Sequence, residues 1–434
     1  MTDQISRRAL LATSAVAGMG FATLAEPGIA EAATGGSGGP AIRPFRVAVP
    51  EVEVVDLRRR VAATKFPDRE QVSDTTQGVQ LATMRQAVKH WAHHDWRKVE
   101  AKLNSHPNFL TEIDGVDIHF IHVRSKHADA LPMIVTHGWP GSVIEQLKII
   151  GPLTDPTAHG GAASDAFHLV IPSLPGYGFS GKPREIGWNP PRIAKAWAVL
   201  MRRLGYTRYV AQGGDWGNAV TEHMALQQPP GLIGIHTNMP ATVPAEITAS
   251  LAAGKMPEGL GADEQDAWQQ LDFFNKNGLG YAIEMNNRPQ TLYALADSPV
   301  GLAAWMVDHD DRSEKMIARS MAGQSEGLTP DDVLDNVALY WFTNTAVSSA
   351  RLYWDNAHHV PGGFFDPRGI EIPVAVTAFP DEIYTAPKSW AEKAYAKLIH
   401  YNKAPKGGHF AAWEQPAFFV QEMRDSFRSL RQPA

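Results

Sequence analysis

The sequence predicts an α/β fold with a mostly parallel sheet and helices on both faces, and three observations lead to this prediction. In the middle of the chain, short apolar runs such as Met133–Thr136 and Tyr209–Gln212 alternate with longer helical segments. A glycine-rich turn, Gly213–Gly217, joins one of these strands to a helix. A mainly helical stretch rich in Trp and Tyr interrupts the alternation from about 241 to 369, and the strand pattern resumes at Ile372–Ala378.

Composition and charge limit the classes of function. The chain has 434 residues, of which 44% are hydrophobic and 20% charged, enough for one large domain or two smaller ones. The formal net charge of -6 is small for this length, and no basic run indicates nucleic-acid binding. The chain has no Cys, so its stability must come from packing. We expect a small-molecule partner and no nucleic acid.

The N-terminus carries an export signature. Ser6–Leu11 contains a twin-arginine pair, a weakly apolar stretch extends to about Ala25, and Ala30–Ala32 matches an A-x-A cleavage site. We therefore expect residues 1–32 to be a Tat signal peptide and the protein to be periplasmic or extracellular. A membrane anchor is the alternative, but several Thr, Ser, Gly and Ala residues make the stretch less apolar than a stable span. We expect no stable membrane span in the mature chain.

The rest of the chain is predicted as a series of elements. A Gly/Ser-rich linker is expected at 33–41. Three helices then precede the sheet, at Val52–Val61, at Leu81–Trp91 and from about Trp96. A hairpin of Asn108–Ile113 and Val116–Val123, joined by Asp114-Gly115, is expected to open the sheet. The later elements are expected at Met133–Thr136, Val143–Ile150, Phe167–Ile171, Ile193–Leu204, Tyr209–Gln212, Ile233–Thr237, Ile372–Ala378 and Leu398–Tyr401. The predicted units are an N-terminal extension at 42–107, a core at 108–240 and 370–434, and a helical cap at 241–369.

The turn Gly213-Gly214-Asp215-Trp216-Gly217 has the layout of a nucleophile elbow, since it follows a strand and precedes a helix. Small residues are needed on either side of the central position because strand and helix pass close together, and Gly213 and Gly217 provide that space. The usual central residue is Ser, whereas this chain has Asp215. A carboxylate that attacks carbon becomes an ester, so the suitable substrates are epoxides and alkyl halides.

A second turn is predicted to face the elbow. His137–Ser142, with the sequence HGWPGS, directly follows the strand Met133–Thr136 and precedes a helix. An oxyanion hole uses backbone amides from such a loop and from the residue after the nucleophile, which makes Trp139 and Trp216 the candidates. An ordinary Gly/Pro turn is the alternative interpretation.

A base and an acid follow in the chain order of an α/β-hydrolase. Among 17 His residues, His409 is favoured because it follows the last strand and a Gly pair. The strand Ile372–Ala378 leads to Asp381 and Glu382, two carboxylates that could orient the base. The residues alone do not choose between the two acids.

These stretches together resemble the microsomal epoxide hydrolase group of the α/β-hydrolase superfamily, which includes the juvenile hormone epoxide hydrolases. The resemblance extends from Pro44 to the end of the chain. The stretches that carry it are Phe66–Asp68, Asp95–Asn104, Ile113–Phe120, HGWPGS, GGDWG and GGHFAAWE. The resemblance implies an α/β-hydrolase fold with an inserted helical cap and an N-terminal extension.

The resemblance also implies roles for individual residues. Asp215 would be the nucleophile and His409 the base that activates water. The acid would be Glu382, at the Glu of a Phe-Pro-x-Glu segment, with Asp381 as a lesser candidate. Two cap tyrosines, matched by Tyr281 and Tyr353, would polarise the epoxide oxygen.

The implied reaction converts an epoxide to a vicinal diol through an aspartyl ester. No cofactor and no metal are implied. The partners would be a small hydrophobic epoxide and water. The oligomeric state is left open, with a homo-oligomer as one alternative. Membrane-bound relatives carry an anchor where this chain has its Tat signature, so the resemblance does not extend to a membrane location.

Two other functions stay open at this point. A haloalkane dehalogenase shares the Asp, His and acid but binds the leaving halide with donors such as Trp, which Trp139 and Trp216 could provide. A hydrolase-like binding protein without turnover is the other alternative, although an intact nucleophile, acid and base argue against it.

Overall fold

The computed structural model describes residues 41–431, so the predicted export signal and all but the last residue of the predicted linker lie outside the described residues. The described residues form a nine-stranded sheet in the order β1-β2-β3-β5-β4-β6-β7-β8-β9. Its strands are β1 Arg43–Phe45, β2 Asn108–Ile113, β3 Val116–Val123, β4 Leu131–Thr136, β5 Phe167–Pro172, β6 Tyr209–Gly213, β7 Leu232–Thr237, β8 Val374–Ala378 and β9 Leu398–Lys403.

The sheet changes from antiparallel to parallel at β5. Strands β1, β2, β3 and β5 pair antiparallel, and every pair from β5 through β4 to β9 is parallel. The predicted hairpin of β2 and β3 is confirmed. The expectation that it opens the sheet is wrong, because the short strand β1 pairs with β2 and forms the edge. Three residues are too few to show an alternating pattern in the sequence.

The parallel strands lie in the core of the molecule. Every residue of β5, β6 and β8 is buried, as expected when helices cover both faces of a sheet. These strands therefore appear in the sequence as short, nearly continuous apolar runs, and the sequence predicted all of them to within two residues at either end.

Seventeen α-helices occur in residues 41–431. They are α1 Glu51–Ala62, α2 Leu81–Trp91, α3 Trp96–Asn104, α4 Leu147–Thr154, α5 Pro190–Arg203, α6 Trp216–Gln227, α7 Ala245–Ala252, α8 Ala262–Phe273, α9 Gly280–Asn287, α10 Ala294–Asp297, α11 Pro299–Val307, α12 Asp311–Met321, α13 Pro330–Thr343, α14 Ala346–His359, α15 Lys388–Ala394, α16 Ala411–Glu414 and α17 Pro416–Ser426. The predicted helix Val143–Ile150 is divided, because Val143–Gln146 is a 3₁₀ turn that precedes α4. No helix in the described range is long and apolar enough to cross a membrane.

Helices α7–α14 lie between β7 and β8, and we refer to this part of the chain as the helical insertion. Within it, α9 packs against α14, while the N-terminal helices α1–α3 pack against α11, α12 and α13. The insertion and the sheet share one continuous hydrophobic core. This packing fixes side chains from α9 and α14 above the carboxyl ends of the parallel strands.

Candidate active site

The turns that follow the parallel strands meet at one edge of the sheet. Thr136, the last residue of β4, pairs with Gly213, the last residue of β6, so the HGWPGS turn and the elbow start side by side. The acid-bearing turn follows β8, and the histidine-bearing turn follows β9, its parallel neighbour. The carboxyl edge of a parallel sheet is where open α/β folds bind ligands.

The elbow holds Asp215 in a strained backbone conformation. Its φ is +52° and its ψ is -128°, which places a residue with a Cβ in a region that such residues rarely adopt. Asp215 directly precedes α6 and is 6% exposed. The surrounding packing therefore maintains this conformation, which points the carboxylate into the edge of the sheet.

The glycines of the elbow are required by close backbone contacts. A Cβ on Gly217 would lie 2.0 Å from the carbonyl oxygen of Thr136, and one on Gly213 would lie 2.1 Å from that of Gly217. A Cβ on Gly138 would lie 2.4 Å from Cβ of Asp215. These distances confirm the predicted crowding between strand and helix, and they add Gly138 to the positions that need glycine.

Two backbone amides donate to the Asp215 carboxylate. The amide of Trp139 lies 2.7 Å from Oδ1, and the amide of Trp216 also donates to this side chain. Burial raises the pKa of Asp215, while His409, His309 and the two amides act in the opposite direction. The structure thus brings together, at the Asp215 carboxylate, the two amides predicted for an oxyanion hole.

His409 and Glu382 form a buried pair beside Asp215. Nδ1 of His409 donates to Oε1 of Glu382 over 2.8 Å, and the same oxygen accepts from the amide of Ile383. Asp381, the other candidate acid, is exposed and makes its hydrogen bond to Gly407 through its backbone. The geometry therefore places Glu382, and not Asp381, against the histidine.

The charge of His409 depends on the neighbouring carboxylates. Burial alone lowers its pKa, but the adjacent Glu382 and Asp215 carboxylates outweigh this effect and raise the pKa to about 10. His409 is consequently protonated at neutral pH, and its charge favours the ionised form of Asp215. Loss of the Asp215 charge removes part of this stabilisation of the imidazolium.

The predicted tyrosines come from two helices of the insertion, Tyr281 from α9 and Tyr353 from α14. Both are buried, with ring centroids 6.1 Å apart. Trp139 stacks on Tyr281 at 4.8 Å, and Trp216 contacts Tyr353 edge to face at 4.7 Å. Each phenol is therefore positioned by a tryptophan of the turns that hold Asp215.

Both phenols remain donors at neutral pH. Burial, with a further contribution from the Asp215 charge, raises the pKa of Tyr281 well above its usual value of 10, and burial together with Tyr281 and Asp215 does the same for Tyr353. The Tyr353 hydroxyl lies near the Tyr281 hydroxyl and the Trp216 indole but makes no hydrogen bond of good geometry with any of residues 41–431. A buried hydroxyl without a partner is costly, so this donor is available to a bound molecule.

Comparison with known proteins identifies the family. The model for the epoxide hydrolase N terminus matches residues 42–146, and the model for the alpha/beta hydrolase fold matches residues 132–274. A relative from Stigmatella aurantiaca, whose epoxide hydrolase name is itself provisional, is 51% identical over 90% of this chain and 86% of its own. Epoxide hydrolase 1 of Oryctolagus cuniculus is 35% identical over 88% of each chain.

The chain belongs to the epoxide hydrolase family.

Solved structures confirm the fold that the sequence predicted. The crystal structure of juvenile hormone epoxide hydrolase from Bombyx mori has a TM-score of 0.79 and 28% identity, and it covers 91% of this chain and 96% of that one. The epoxide hydrolase of Aspergillus niger has a TM-score of 0.75 and 29% identity over 91% of this chain and 97% of that one. The predicted resemblance to epoxide hydrolases of the α/β-hydrolase superfamily is thus confirmed.

The site of this family member contains side chains that the sequence analysis did not single out. The ring of His309 lies 4.1 Å from that of His409, and its Nδ1 donates to Asp310 over 2.9 Å. Glu145 is buried nearby, and burial raises its pKa to about 8. Glu145 lies three residues after the end of the HGWPGS turn, so its closeness to that motif could have indicated it as a site residue. His309 lies in a loop between α11 and α12 without a recognisable motif.

Two cavities adjoin the site. A small one of about 20 Å³ is lined by Asp215, His409 and Glu145 among others, which is enough for one water molecule. A cleft of about 590 Å³ reaches Tyr281, His309 and Glu382 from the insertion side. A larger cavity of about 800 Å³ lies between α1 and α11, and none of the predicted site residues lines it, so size alone does not locate the site.

Proposed function

We propose that this chain hydrolyses epoxides to vicinal diols through a covalent ester on Asp215. The observation that carries the proposal is the pair of buried phenols, Tyr281 and Tyr353. Both are close enough to Asp215 for its charge to raise their pKa values. A carboxylate nucleophile opposite two neutral O–H donors suits a strained ring whose oxygen must be pulled away as its carbon is attacked.

In the first step, the Asp215 carboxylate attacks one epoxide carbon and the bond between that carbon and the ring oxygen breaks. The developing alkoxide accepts hydrogen bonds from the two phenols and takes a proton from one of them. The high pKa of each phenol keeps it protonated until that moment. The product is a glycol monoester in which Asp215 has lost its negative charge.

In the second step, water attacks the carbonyl carbon of the ester. With the Asp215 charge gone, His409 gives up its proton more readily and that proton replaces the one the phenol lost in the first step. The neutral imidazole then takes a proton from water. The tetrahedral oxyanion is held by the amides of Trp139 and Trp216. The diol then leaves, its oxygen protonated by His409. The carboxylic acid formed on Asp215 passes its proton to His409, which restores the Asp215 carboxylate and the protonated imidazole. The small cavity between Asp215, His409 and Glu145 has room for this water.

Glu382 orients the base in this scheme. Its hydrogen bond fixes the proton of His409 on Nδ1, so Nε2 is the nitrogen that accepts the proton from water. Glu382→Ala should therefore slow ester hydrolysis more than ester formation. Asp381→Ala, which removes the exposed neighbouring carboxylate, is the matched control and should leave both steps unchanged.

A dehalogenase is the second candidate, and one observation favours it. The buried indole Nε1 of Trp216 lies near the Tyr353 hydroxyl but makes no hydrogen bond of good geometry in the described part of the chain, so it could donate to a departing halide. Incubation with styrene oxide and, separately, with 1-bromobutane distinguishes the two. We expect diol from the first and no bromide from the second, and Asp215→Ala should abolish diol formation. Release of bromide without diol would overturn the proposal.

The surroundings of the site support a small apolar epoxide, since tryptophan and tyrosine rings line it. The buried phenols and the paired base also argue against a binding protein without turnover. Export through the twin-arginine signature and a periplasmic or extracellular location remain proposals that rest on Ser6–Leu11, and a homo-oligomer stays a prediction from the sequence.

A further inference from the structure

His309 is a buried side chain that the proposed reaction does not use. It is 1% exposed, and Nδ1 is engaged by the Asp310 carboxylate. Its other ring nitrogen, Nε2, has no hydrogen-bond partner within the described residues. A buried nitrogen that donates or accepts nothing loses free energy relative to water, so it is a candidate ligand atom.

His309 lies close to two other groups that can each offer a ligand atom. One ring nitrogen each of His309 and His409 and one carboxylate oxygen of Asp215 all lie within 4.8 Å of one another. Tetrahedral ligands at about 2.1 Å from a zinc ion are about 3.4 Å apart, so the three atoms need to approach by roughly 1.4 Å at most. His309 lies in the loop between α11 and α12, where such a shift does not disturb a helix.

Each imidazole already has the outer carboxylate that zinc-binding histidines use. Glu382 accepts from Nδ1 of His409 and Asp310 accepts from Nδ1 of His309, which leaves Nε2 of each ring for a further ligand. Nε2 of His409 makes only a long contact, 3.4 Å to the carbonyl oxygen of Trp139. Metal-binding histidines almost always donate their other N–H to a carboxylate, a carbonyl or water, and this contact orients the ring and raises its basicity. Asp310 is itself held by the amides of Arg312 and Ser313 at the start of α12.

The donor set selects among metals. Two imidazoles and one carboxylate, with the fourth position open, are the ligands of many zinc sites. Mg²⁺ and Ca²⁺ prefer sets made of oxygen atoms, so they should bind poorly here. The cleft of about 590 Å³ reaches His309 from the insertion side and provides a path to the site.

We propose that Asp215, His309 and His409 form a binding site for Zn²⁺ and that zinc inhibits the enzyme by occupying its nucleophile and its base. The ion takes the place of the His409 proton and ties up the carboxylate that must attack the epoxide. Inhibition should therefore be competitive with the epoxide and reversible by a chelator. The inhibition rests on the proposed function, whereas the binding does not.

The test uses the protein without an affinity tag and measures binding directly. Zn²⁺ is titrated calorimetrically, and Co²⁺ is titrated in parallel because its visible spectrum reports tetrahedral ligation. We expect one ion per chain for wild type and an affinity at least about 100-fold lower for His309→Phe, which keeps a ring but removes the nitrogens. Asp310→Asn keeps the acceptor that begins α12 but removes the carboxylate, and it should weaken binding by about 10- to 100-fold.

The matched control is another buried imidazole–carboxylate pair. His94 bonds Asp335 at 2.8 Å away from the site, so His94→Phe should bind Zn²⁺ as wild type does. Absence of binding to wild type, equal binding by His309→Phe, or an equal loss in His94→Phe would each overturn the proposal. If His309→Phe does not fold, Asp310→Asn and the cobalt spectrum decide.

The activity measurement is kept separate. Hydrolysis of styrene oxide is followed with Zn²⁺, with Mg²⁺ and with Zn²⁺ plus chelator, and each variant is compared with its own metal-free rate. We expect inhibition by Zn²⁺ alone, lost in His309→Phe. If metal-free wild type makes no diol, the proposed function fails while the calorimetric result still decides the zinc site. If zinc binds but diol formation continues unchanged, the inhibitory role is overturned.

Discussion

At the scale of single residues, the site concentrates buried charge. Asp215, Glu382 and Asp310 are buried carboxylates arranged around His409, whose pKa they raise. Buried charges are tolerated when they are paired, and removal of one partner leaves the other uncompensated. The charge state of each side chain is therefore tied to that of its neighbours. Esterification of Asp215 removes one negative charge and so lowers the pKa of His409.

The phenols should act in ring opening and not in ester hydrolysis. Tyr281→Phe or Tyr353→Phe removes one donor to the developing alkoxide, so each should slow ester formation by about 100-fold, the effect of losing one oxyanion donor. Single-turnover kinetics with styrene oxide separate this step from the next one. Tyr401→Phe, which removes a hydroxyl bonded to Ala386 away from the site, is the control and should form the ester at the wild-type rate. Wild-type ring opening by both site variants would contradict the assignment.

Glu145 predicts a dependence of stability on pH. Burial raises its folded pKa from 4.5 to about 8. Between these values the unfolded chain has lost the proton that the folded chain keeps, so wild-type stability falls as pH rises, by about 1.4 kcal/mol per pH unit. Below 4.5 and above about 8 this group contributes no slope, because both states are then equally protonated.

Glu145→Gln has no charge to lose, so its stability relative to wild type should increase from about pH 5 to about pH 8 and then level off. Urea unfolding of both proteins across this range measures the difference. Glu258→Gln, at an exposed carboxylate, is the control and should show no such trend. A constant difference between Glu145→Gln and wild type would exclude the raised pKa.

The sequence predicted those site residues that lie in turns with a fixed position after a strand. Asp215, Trp139 and His409 follow β6, β4 and β9, so the order of elements alone places them at one edge. His309 and Glu145 were not predicted. The proximity of His309 to the site depends on how the insertion packs on the sheet, and that of Glu145 depends on the conformation of the turn after the HGWPGS motif. The residues alone left Asp381 and Glu382 open, because the choice depends on which side chain is directed inward. The resemblance chose Glu382, and the structure places Glu382 against His409.

At the scale of secondary structure elements, the contact between α6 and β4 sets the elbow. Gly217 is in the first turn of α6, and a Cβ there would lie 2.0 Å from the backbone of Thr136. The sequence indicated this crowding correctly, and it also predicted the hairpin of β2 and β3 residue for residue, because both signals are local. The edge strand β1 was missed, since its pairing partner is far away in the chain.

Gly217→Ala should destabilise the protein by about 3 kcal/mol, because backbone must move to admit the methyl group. The free energy of unfolding in urea is the measurement. Gly280→Ala is the matched control: it lies at the start of α9 with no atom within 4 Å of the added Cβ, so its effect should be within about 0.5 kcal/mol. An equally small effect of Gly217→Ala would show that the elbow is not tightly packed.

At the scale of the whole molecule, a buried network connects the insertion to the sheet. Glu222 on α6 is fully buried and pairs with Arg368, at the return of the chain to β8. The same carboxylate accepts from the Tyr395 hydroxyl at 2.6 Å and from the Ala241 amide at 3.1 Å. This network ties the two ends of the insertion to the helix that follows the nucleophile. The limits of the cap and of the other predicted units stay predictions.

Arg368→Met should cost about 3–5 kcal/mol of unfolding free energy, because it leaves the Glu222 charge buried and unpaired. Lys403→Met is the control, since Lys403 and Asp263 also connect the core to the insertion, at 2.9 Å, but as an exposed pair. Loss of this exposed pair should lower the free energy of unfolding by less than about 1 kcal/mol. Similar losses in the two variants would argue against the buried network as the connection that matters.

The central claim is that Asp215 forms an ester that His409 allows water to cleave, and mass spectrometry of the His409→Ala variant after exposure to styrene oxide tests it most directly. The account predicts a mass increase equal to that of the epoxide, located on the peptide that contains Asp215, and no such increase in the double variant that also carries Asp215→Ala. An unmodified Asp215 peptide from a variant that still consumes the epoxide would contradict the covalent route.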